Sequence, residues 1–278
     1  MLIKRPNVEY WKQGVDESQH LAKCARVCYA SNKTTDNEQL CDNLRKKSHN
    51  SMFRHAGVYY IIPKDIQFDV SYGKNIYYNI AYAYGNTYVS TNRQFADEHL
   101  AIYKMFEVDW DTARNTEVFY NNKMLYYTFV IDTGIDITRE FNRKSPNAIA
   151  ERSTRYVDFI KRVGINFKLC HWMYNLNLYK YILIHLMCTI DEWFYKISRS
   201  KYGLNLKPED ARWCLFLDTM SKAVYTYSIK EWEEILQLRL FDSTGKAHPD
   251  AKIIANKIRN ILEDEGFTIN PYINTNNK

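Results

Sequence analysis

The stretch Arg143-Lys144-Ser145-Pro146-Asn147-Ala148-Ile149-Ala150-Glu151-Arg152-Ser153-Thr154-Arg155-Tyr156 places four cations in fourteen residues that carry little apolar mass. Such a segment suits an anion. Arginine offers a rigid fork of donors matched to a phosphate or a pyrimidine carbonyl, and Ser153 adds a hydroxyl two residues from Arg155. In an extended chain that spacing puts both side chains on one face. A solvated basic loop is the plainer reading of the same residues. Two more arginines stand out further along. In the helix expected from about Lys230, Trp232, Ile235, Leu236 and Arg239 fall at i, i+3, i+4 and i+7, which puts a guanidinium on the apolar stripe. Arg212 repeats the pattern, sharing a predicted face with Leu215 and Phe216. A cation so placed needs a buried carboxylate, an escape to the edge, or a ligand.

Mixed helices and strands must position these groups. Leu21, Ala22, Ala25, Val27 and Cys28 recur at helical spacing from Ser18 to Ala30, and a second helical stretch runs from Glu38 to Lys46. The period then changes: Ala56-Gly57-Val58-Tyr59-Tyr60-Ile61-Ile62 is β-branched and aromatic, is stopped by Pro63, and reads as a strand with His55 at its entrance. Residues 64–124 are the least patterned, with a strand candidate at Gly85–Ser90 and a helix expected from Arg93 to Met105. Met124–Asp132 is another strand candidate. Trp172–Ile197 reads as a long helix whose apolar part, Tyr181–Cys188, is expected to be buried. Pro208, with Glu209 and Asp210, opens a further helix.

The chain has 278 residues, 46% of them hydrophobic, enough for a sizeable core. We expect a single domain over 1–278. Its N-terminus meets a charge and a proline before any long apolar run, so no secretory signal is read. The apolar run at 181–188 falls far short of the roughly 20 residues that cross a bilayer. A cytoplasmic protein with no membrane association is expected. The six cysteines form no CxxC pair, and Cys24 and Cys28, one helical turn apart, lack a second pair at zinc-finger spacing, so no metal is expected. A net charge of +6 suits anionic ligands or nucleic acid. Twenty-three tyrosines would also suit a single-stranded nucleic-acid binder, but no RNP-like or OB-like pattern supports that reading.

The basic segment resembles the signature of the flavin-dependent thymidylate synthases, in which Arg-His-Arg, seven residues and a Ser are often followed by Thr-Arg-Tyr. Arg143 matches the first Arg, and Ser153-Thr154-Arg155-Tyr156 is intact. Lys144 and Ser145 replace the His and the second Arg. Further stretches match in order. Leu21–Tyr29 is similar to the family's opening helix, and Ser48–Ala56 to its Gly-His-Glu-Ser-x-x-Glu-His segment, with Arg54 in place of the Glu. Gly85, Tyr88, Thr91 and Asn92 resemble a stretch of a longer-insertion subgroup, the insertion covering about 64–124. Asp132 and Gly134 match an Asp-x-Gly step, Arg139–Arg143 a His-Glu-Phe-Val-Arg, Ala211–Phe216 an Ala-Arg-x-x-Leu-Pro, and Trp232–Arg239 a Trp-x-x-Phe-x-x-Leu-Arg helix. The match spans about residues 20–260.

This resemblance implies an α+β fold, a twisted, mainly antiparallel sheet with flanking helices, assembled as a homotetramer with active sites shared between subunits. It implies reductive methylation of dUMP to dTMP with methylenetetrahydrofolate, NADPH and FAD, the cofactor carrying the hydride. Ser153, Arg155, Arg143 and Arg212 are implied to bind dUMP, and Arg239 to meet the pyrimidine where negative charge develops, so that Arg239 and Ser153 are the expected catalytic pair. Glu140 and Glu151 are implied substrate contacts, with a salt bridge to a nearby Arg as the plainer role. His55, Arg143, Lys144 and Ser145 are implied to border FAD. The altered signature also leaves room for a one-carbon transferase acting on another pyrimidine nucleotide, or for a non-catalytic nucleotide-binding relative.

Overall fold

A computed structural model describes residues 2–14, 16–31, 36–69, 77–144 and 148–272. Ser145, one of the residues expected to border FAD, lies outside them. In chain order the strands are β1 (Leu2–Lys4), β2 (Asn7–Trp11), β3 (Gly57–Pro63), β4 (Tyr78–Ala83), β5 (Asn86–Asn92), β6 (Glu107–Val108), β7 (Tyr126–Gly134), β8 (Ile149–Glu151), β9 (Asn166–Lys168) and β10 (Met220–Ser228). The helices are α1 (Glu17–Tyr29), α2 (Asn37–Lys46), α3 (Arg93–His99), α4 (Trp110–Asn115), α5 (Glu117–Asn121), α6 (Ile135–Phe141), α7 (Phe159–Arg162), α8 (Leu178–Arg199), α9 (Pro208–Ala211), α10 (Ile229–Arg239) and α11 (Pro249–Asp264). The architecture is the expected α+β one, with antiparallel sheets and flanking helices.

The central sheet has the order β2-β7-β10-β8, every pair antiparallel. Strands β7 and β10 form its axis, paired from Gly134 opposite Met220 to Tyr126 opposite Ser228. Side chains alternate between the two faces. Tyr127, Phe129 and Ile131 with Ala223, Tyr225 and Tyr227 pack against Ile137 and Phe141 of α6, Trp232 of α10 and Ile254 and Ile258 of α11. On the other face Val130, Val224 and Ala150 meet Cys24 of α1. Helix α10 follows β10 without a loop because Ser228 and Glu231 form a capping box.

The segment expected to be an insertion contributes β4, β5 and β6 to a second antiparallel sheet, β4-β5-β3-β6, whose β3 precedes it in sequence. Ala83 pairs with Asn86, so Tyr84 and Gly85 make a two-residue turn. Both have positive φ, the geometry that suits the twist of a hairpin and that glycine adopts without strain. Arg93 clasps this sheet to α1, bonding Glu17 at 2.9 Å and Glu107 through both oxygens.

Three expected elements differ. The helix from Arg93 to Met105 stops at His99, since Leu100, fully buried, turns the chain into a 3-10 segment over Ala101–Phe106. The helix expected from Pro208 closes after one turn, and Arg212 to Cys214 are 3-10, which takes Arg212 off any apolar stripe. The long helix begins only at Leu178, where Asn177 caps it, and its apolar part is not buried. Cys188, Asp191, Tyr195 and Ser198 face the protein, while Leu178, Ile182, Leu183, Leu186, Met187, Ile190, Trp193 and Phe194 are exposed. A helix apolar all round is normally covered on every side, and among the described residues nothing covers this side of α8. No helix among the described residues is long and apolar enough to cross a membrane.

Candidate functional site

Ser153 opens a tight turn instead of an extended stretch. Its backbone amide donates to the Cys28 carbonyl at 2.8 Å, tying it to the end of α1. Its Oγ accepts from the amides of Arg155 and Tyr156 at 3.1 and 3.2 Å, a local side-chain bond of the kind that competes with strand pairing. The turn sends Arg155 towards α9, where Nε donates to Glu209 Oε2 at 2.9 Å and the guanidinium lies over the Tyr156 ring. Arg212 meets the same place from the other side. Its Nη1 donates to Thr154 Oγ1 at 3.2 Å and its Nε to the Glu209 carbonyl at 3.1 Å. Arg155 and Arg212 thus meet at Glu209, beside the turn that Ser153 caps, and the bond from Arg155 holds the Glu209 carboxyl below the usual range. In chemical terms the carboxylate of Glu209 occupies a position that an anion's oxygens would take on Arg155.

Glu140, Arg143, Lys144 and Arg239 form a second cluster at the end of α6. Arg239 does find the carboxylate its place on the apolar stripe demands: Nε donates to the Glu140 carbonyl at 2.9 Å and Nη1 lies 3.3 Å from Glu140 Oε2. Its side chain is only 14% exposed, and burial pulls its pKa down. Glu140 also accepts from Arg143 at 2.9 Å, so the salt-bridge role holds for it in this chain. Lys144 is paired with Glu234 of α10. Glu140, Arg143, Lys144, Glu234 and Arg239 line one cavity of about 150 Å³. Ser153, Arg155 and Arg212 are not part of its lining.

Glu151 links the clusters, lying two residues before Ser153 and reaching to α6. It makes no salt bridge among the described residues; instead Thr138 Oγ1 donates to Oε1 at 2.7 Å and Asn142 Nδ2 to Oε2 at 3.0 Å. Tyr225 in turn donates to Asn142 Oδ1 at 2.8 Å.

His55 stands apart from both clusters. It is fully enclosed beneath the central sheet, with Nδ1 2.9 Å from Thr226 Oγ1, beside Thr128, Gln13 and His20. Burial pushes its pKa down to about 3, so it is a neutral ring with no surface to offer in this chain. Arg54, where the resemblance expects Glu, bonds Gln94 of α3 at 2.7 Å. Of the expected FAD contacts, Arg143 and Lys144 are cations at a cavity mouth and fit as partners for phosphates. The cavity itself is smaller than a dinucleotide needs.

Several partners escaped the sequence reading. Thr154 and Glu209 were read there only as part of the signature and of a helix start, and their contacts with Arg212 and Arg155, like that of Glu234 with Lys144, cross long stretches of chain. The least foreseen is Lys168, 1% exposed, whose Nζ reaches Asp136 at 2.6 Å, Asp250 at 2.8 Å and Asp218 at 3.3 Å. Asp136, His248 and Asp250 bring ligand-type atoms within 4.8 Å of one another. The Lys168 ammonium already supplies positive charge to both of those carboxylates, so the group reads as an ion-pair network.

The family model described as "Thymidylate synthase complementing protein" matches residues 121–265. That range holds both clusters. A search of curated proteins finds no match. Among solved structures, the chain is similar to the UMP/dUMP methylase PolB from Streptomyces cacaoi, bound with 5-Br dUMP in one structure and 5-Br UMP in another. Each is 14% identical, with a TM-score of 0.45, covering 95% of this chain and 93% and 92% of the others.

Proposed function

We propose, for a chain that belongs to the thymidylate synthase complementing protein family, that it methylates dUMP to dTMP, drawing the carbon from methylenetetrahydrofolate and the electrons from NADPH. The observation that supports this reading is that Arg155 and Arg212 meet at Glu209 in a member of that family, the first on its carboxylate and the second on its backbone carbonyl, beside the turn capped by Ser153. The phosphate of dUMP takes the place of Glu209, accepting from Arg155 and Arg212, while the turn capped by Ser153 holds those donors in register. The half-buried guanidinium of Arg239 lies against the pyrimidine. Its donors face an oxygen that becomes negative as hydride arrives, and a partly dehydrated cation stabilises that charge more than a hydrated one. Glu140 keeps Arg239 and Arg143 oriented. FAD, bordered by Arg143 and Lys144, supplies the hydride transfer when bound.

Among the described residues the cavity beside Arg239 is not lined by Ser153, Arg155 or Arg212, and α8 leaves an apolar face bare. Both features support assembly into a homotetramer whose sites combine residues from different copies. The test is an anaerobic incubation of FAD-supplemented protein with NADPH, methylenetetrahydrofolate and dUMP, dCMP or UMP, with products identified by mass. A dTMP product and a flavin absorbance that copurifies with the protein are expected. Turnover of dCMP or UMP but not dUMP would replace this reading with the one-carbon transferase acting on another pyrimidine nucleotide.

A further inference from the structure

A groove between the end of α1, α2 and α7 lies outside both clusters. It has a volume of about 380 Å³, within the range of small-ligand sites. Its floor is apolar: Ala25 and Leu44 are buried, Leu40 lies beside them, and Tyr29 makes a part-exposed wall. The charged lining has one sign, with Arg26, Lys47 and Arg162 and no carboxylate. Arg26 Nη1 donates to Asn37 Oδ1 at 2.8 Å, and Arg162 Nη1 to the Tyr29 carbonyl at 2.9 Å. These bonds orient both guanidiniums. Lys47 and Arg162 have no carboxylate partner among the described residues.

An apolar floor bordered by cations selects a molecule divided the same way, because the body gains by leaving water and the head by meeting charge. We propose that this groove is a second ligand site, taking a small organic anion with an aromatic or apolar body and a carboxylate or phosphate head. It borders the nucleotide cluster without sharing residues. The Tyr29 ring lies 6.0 Å from that of Tyr156, over which Arg155 sits. An anion in the groove therefore presses on the wall behind the Ser153 turn. The proposal goes beyond the nucleotide reading and stands without it.

The test is isothermal titration of the full chain with 4-aminobenzoyl-L-glutamate, an aromatic dicarboxylate, and with phenyl phosphate. The dimethyl ester of the first serves as the uncharged control. Saturable binding of at least one acid is expected, and which one binds tells carboxylate from phosphate ligands. Arg162→Gln should weaken it roughly tenfold, the loss of one charge-assisted hydrogen bond. Lys47→Gln should weaken it severalfold, and Arg155→Gln should leave it unchanged, each variant retaining its circular dichroism. Absence of binding, equal binding of the ester, or a loss in Arg155→Gln but not Arg162→Gln would overturn the proposal. A parallel dUMP titration separates the two readings, since failure of dUMP to bind bears on the nucleotide cluster alone.

Discussion

Replacing Lys168 by Met removes the cation that pairs with Asp136, Asp218 and Asp250 where β9, α6 and α11 meet. The substitution is close in volume, so its cost is electrostatic. Lys168 is 1% exposed and Asp250 2%, while Asp136 and Asp218 are 23% and 37% exposed. Burial pulls the Lys168 pKa down, but the bonds from Asp136 and Asp250 outweigh it and carry it above its ordinary value. Burial likewise pushes the Asp250 carboxyl up, and the bonds from Lys168 and the His171 amide hold it below the usual range. Breaking a buried pair costs about 3–5 kcal/mol. The lower end applies, because Asp136 and Asp218 gain water and Asp250 keeps His171 at 2.7 Å. At roughly 2–4 °C per kcal/mol for chains of this size, the expected fall in Tm is about 6–12 °C. A thermal melt measures that fall, and urea unfolding followed by tryptophan fluorescence measures the free-energy cost, both at fixed protein concentration. The sign with pH is also fixed. Asp250 has a depressed pKa in the folded protein, so the stability it contributes is present above its unfolded value and lost as pH falls through the folded one. The gap between wild type and Lys168→Met should therefore narrow in acid. A gap below about 1 kcal/mol that ignores pH would mean that water already screens the network, and the argument would fail.

Other outcomes follow from the same geometry. Arg155→Gln should weaken dUMP binding by more than about tenfold through loss of a charged donor, whereas Arg239→Lys should lower kcat more than it raises KM, since Lys keeps charge without the fork. An unchanged dUMP affinity in the first, measured by equilibrium dialysis, would remove the phosphate role. Asp191 is 2% exposed with neither oxygen hydrogen-bonded, and burial pushes its carboxyl up to about 6, opposed only by a Phe216 amide outside bonding geometry. The folded state then binds that proton more tightly than the unfolded one, so on this group alone stability rises as pH falls from about 7 to 4. Asp191→Asn should add roughly 2–3 kcal/mol at pH 7 and nothing near pH 4; equal urea midpoints at pH 7 would contradict this. On α8, Leu186→Glu with Ile190→Glu should shift the sedimentation coefficient towards that of a single chain, and an unaltered assembly would place the interface elsewhere.

Most of the fold was legible where the information is local. Helix α1, helix α2, strand β3 and helix α10 carry periodicities of 3.6 or 2 that neighbouring residues alone determine. Arg239 was legible in the same way, because a guanidinium on an apolar stripe states its own need for a carboxylate, but the identity of Glu140 depends on how α6 packs against α10. The misreadings have separate causes. Apolar content marks α8 as a helix that must be covered and says nothing of what covers it, so a side expected to lie in the core is bare in the single chain. Two-residue spacing suggested that Ser153 and Arg155 project together from a strand; the serine hydroxyl instead captures the next amides and bends the chain. That bend is what brings Arg155 to Glu209, fifty-four positions away, where Arg212 also arrives. The basic segment therefore shows its residue types in the sequence, while the arrangement that brings Arg155 and Arg212 to one place comes from a local turn and a distant helix that no periodicity connects.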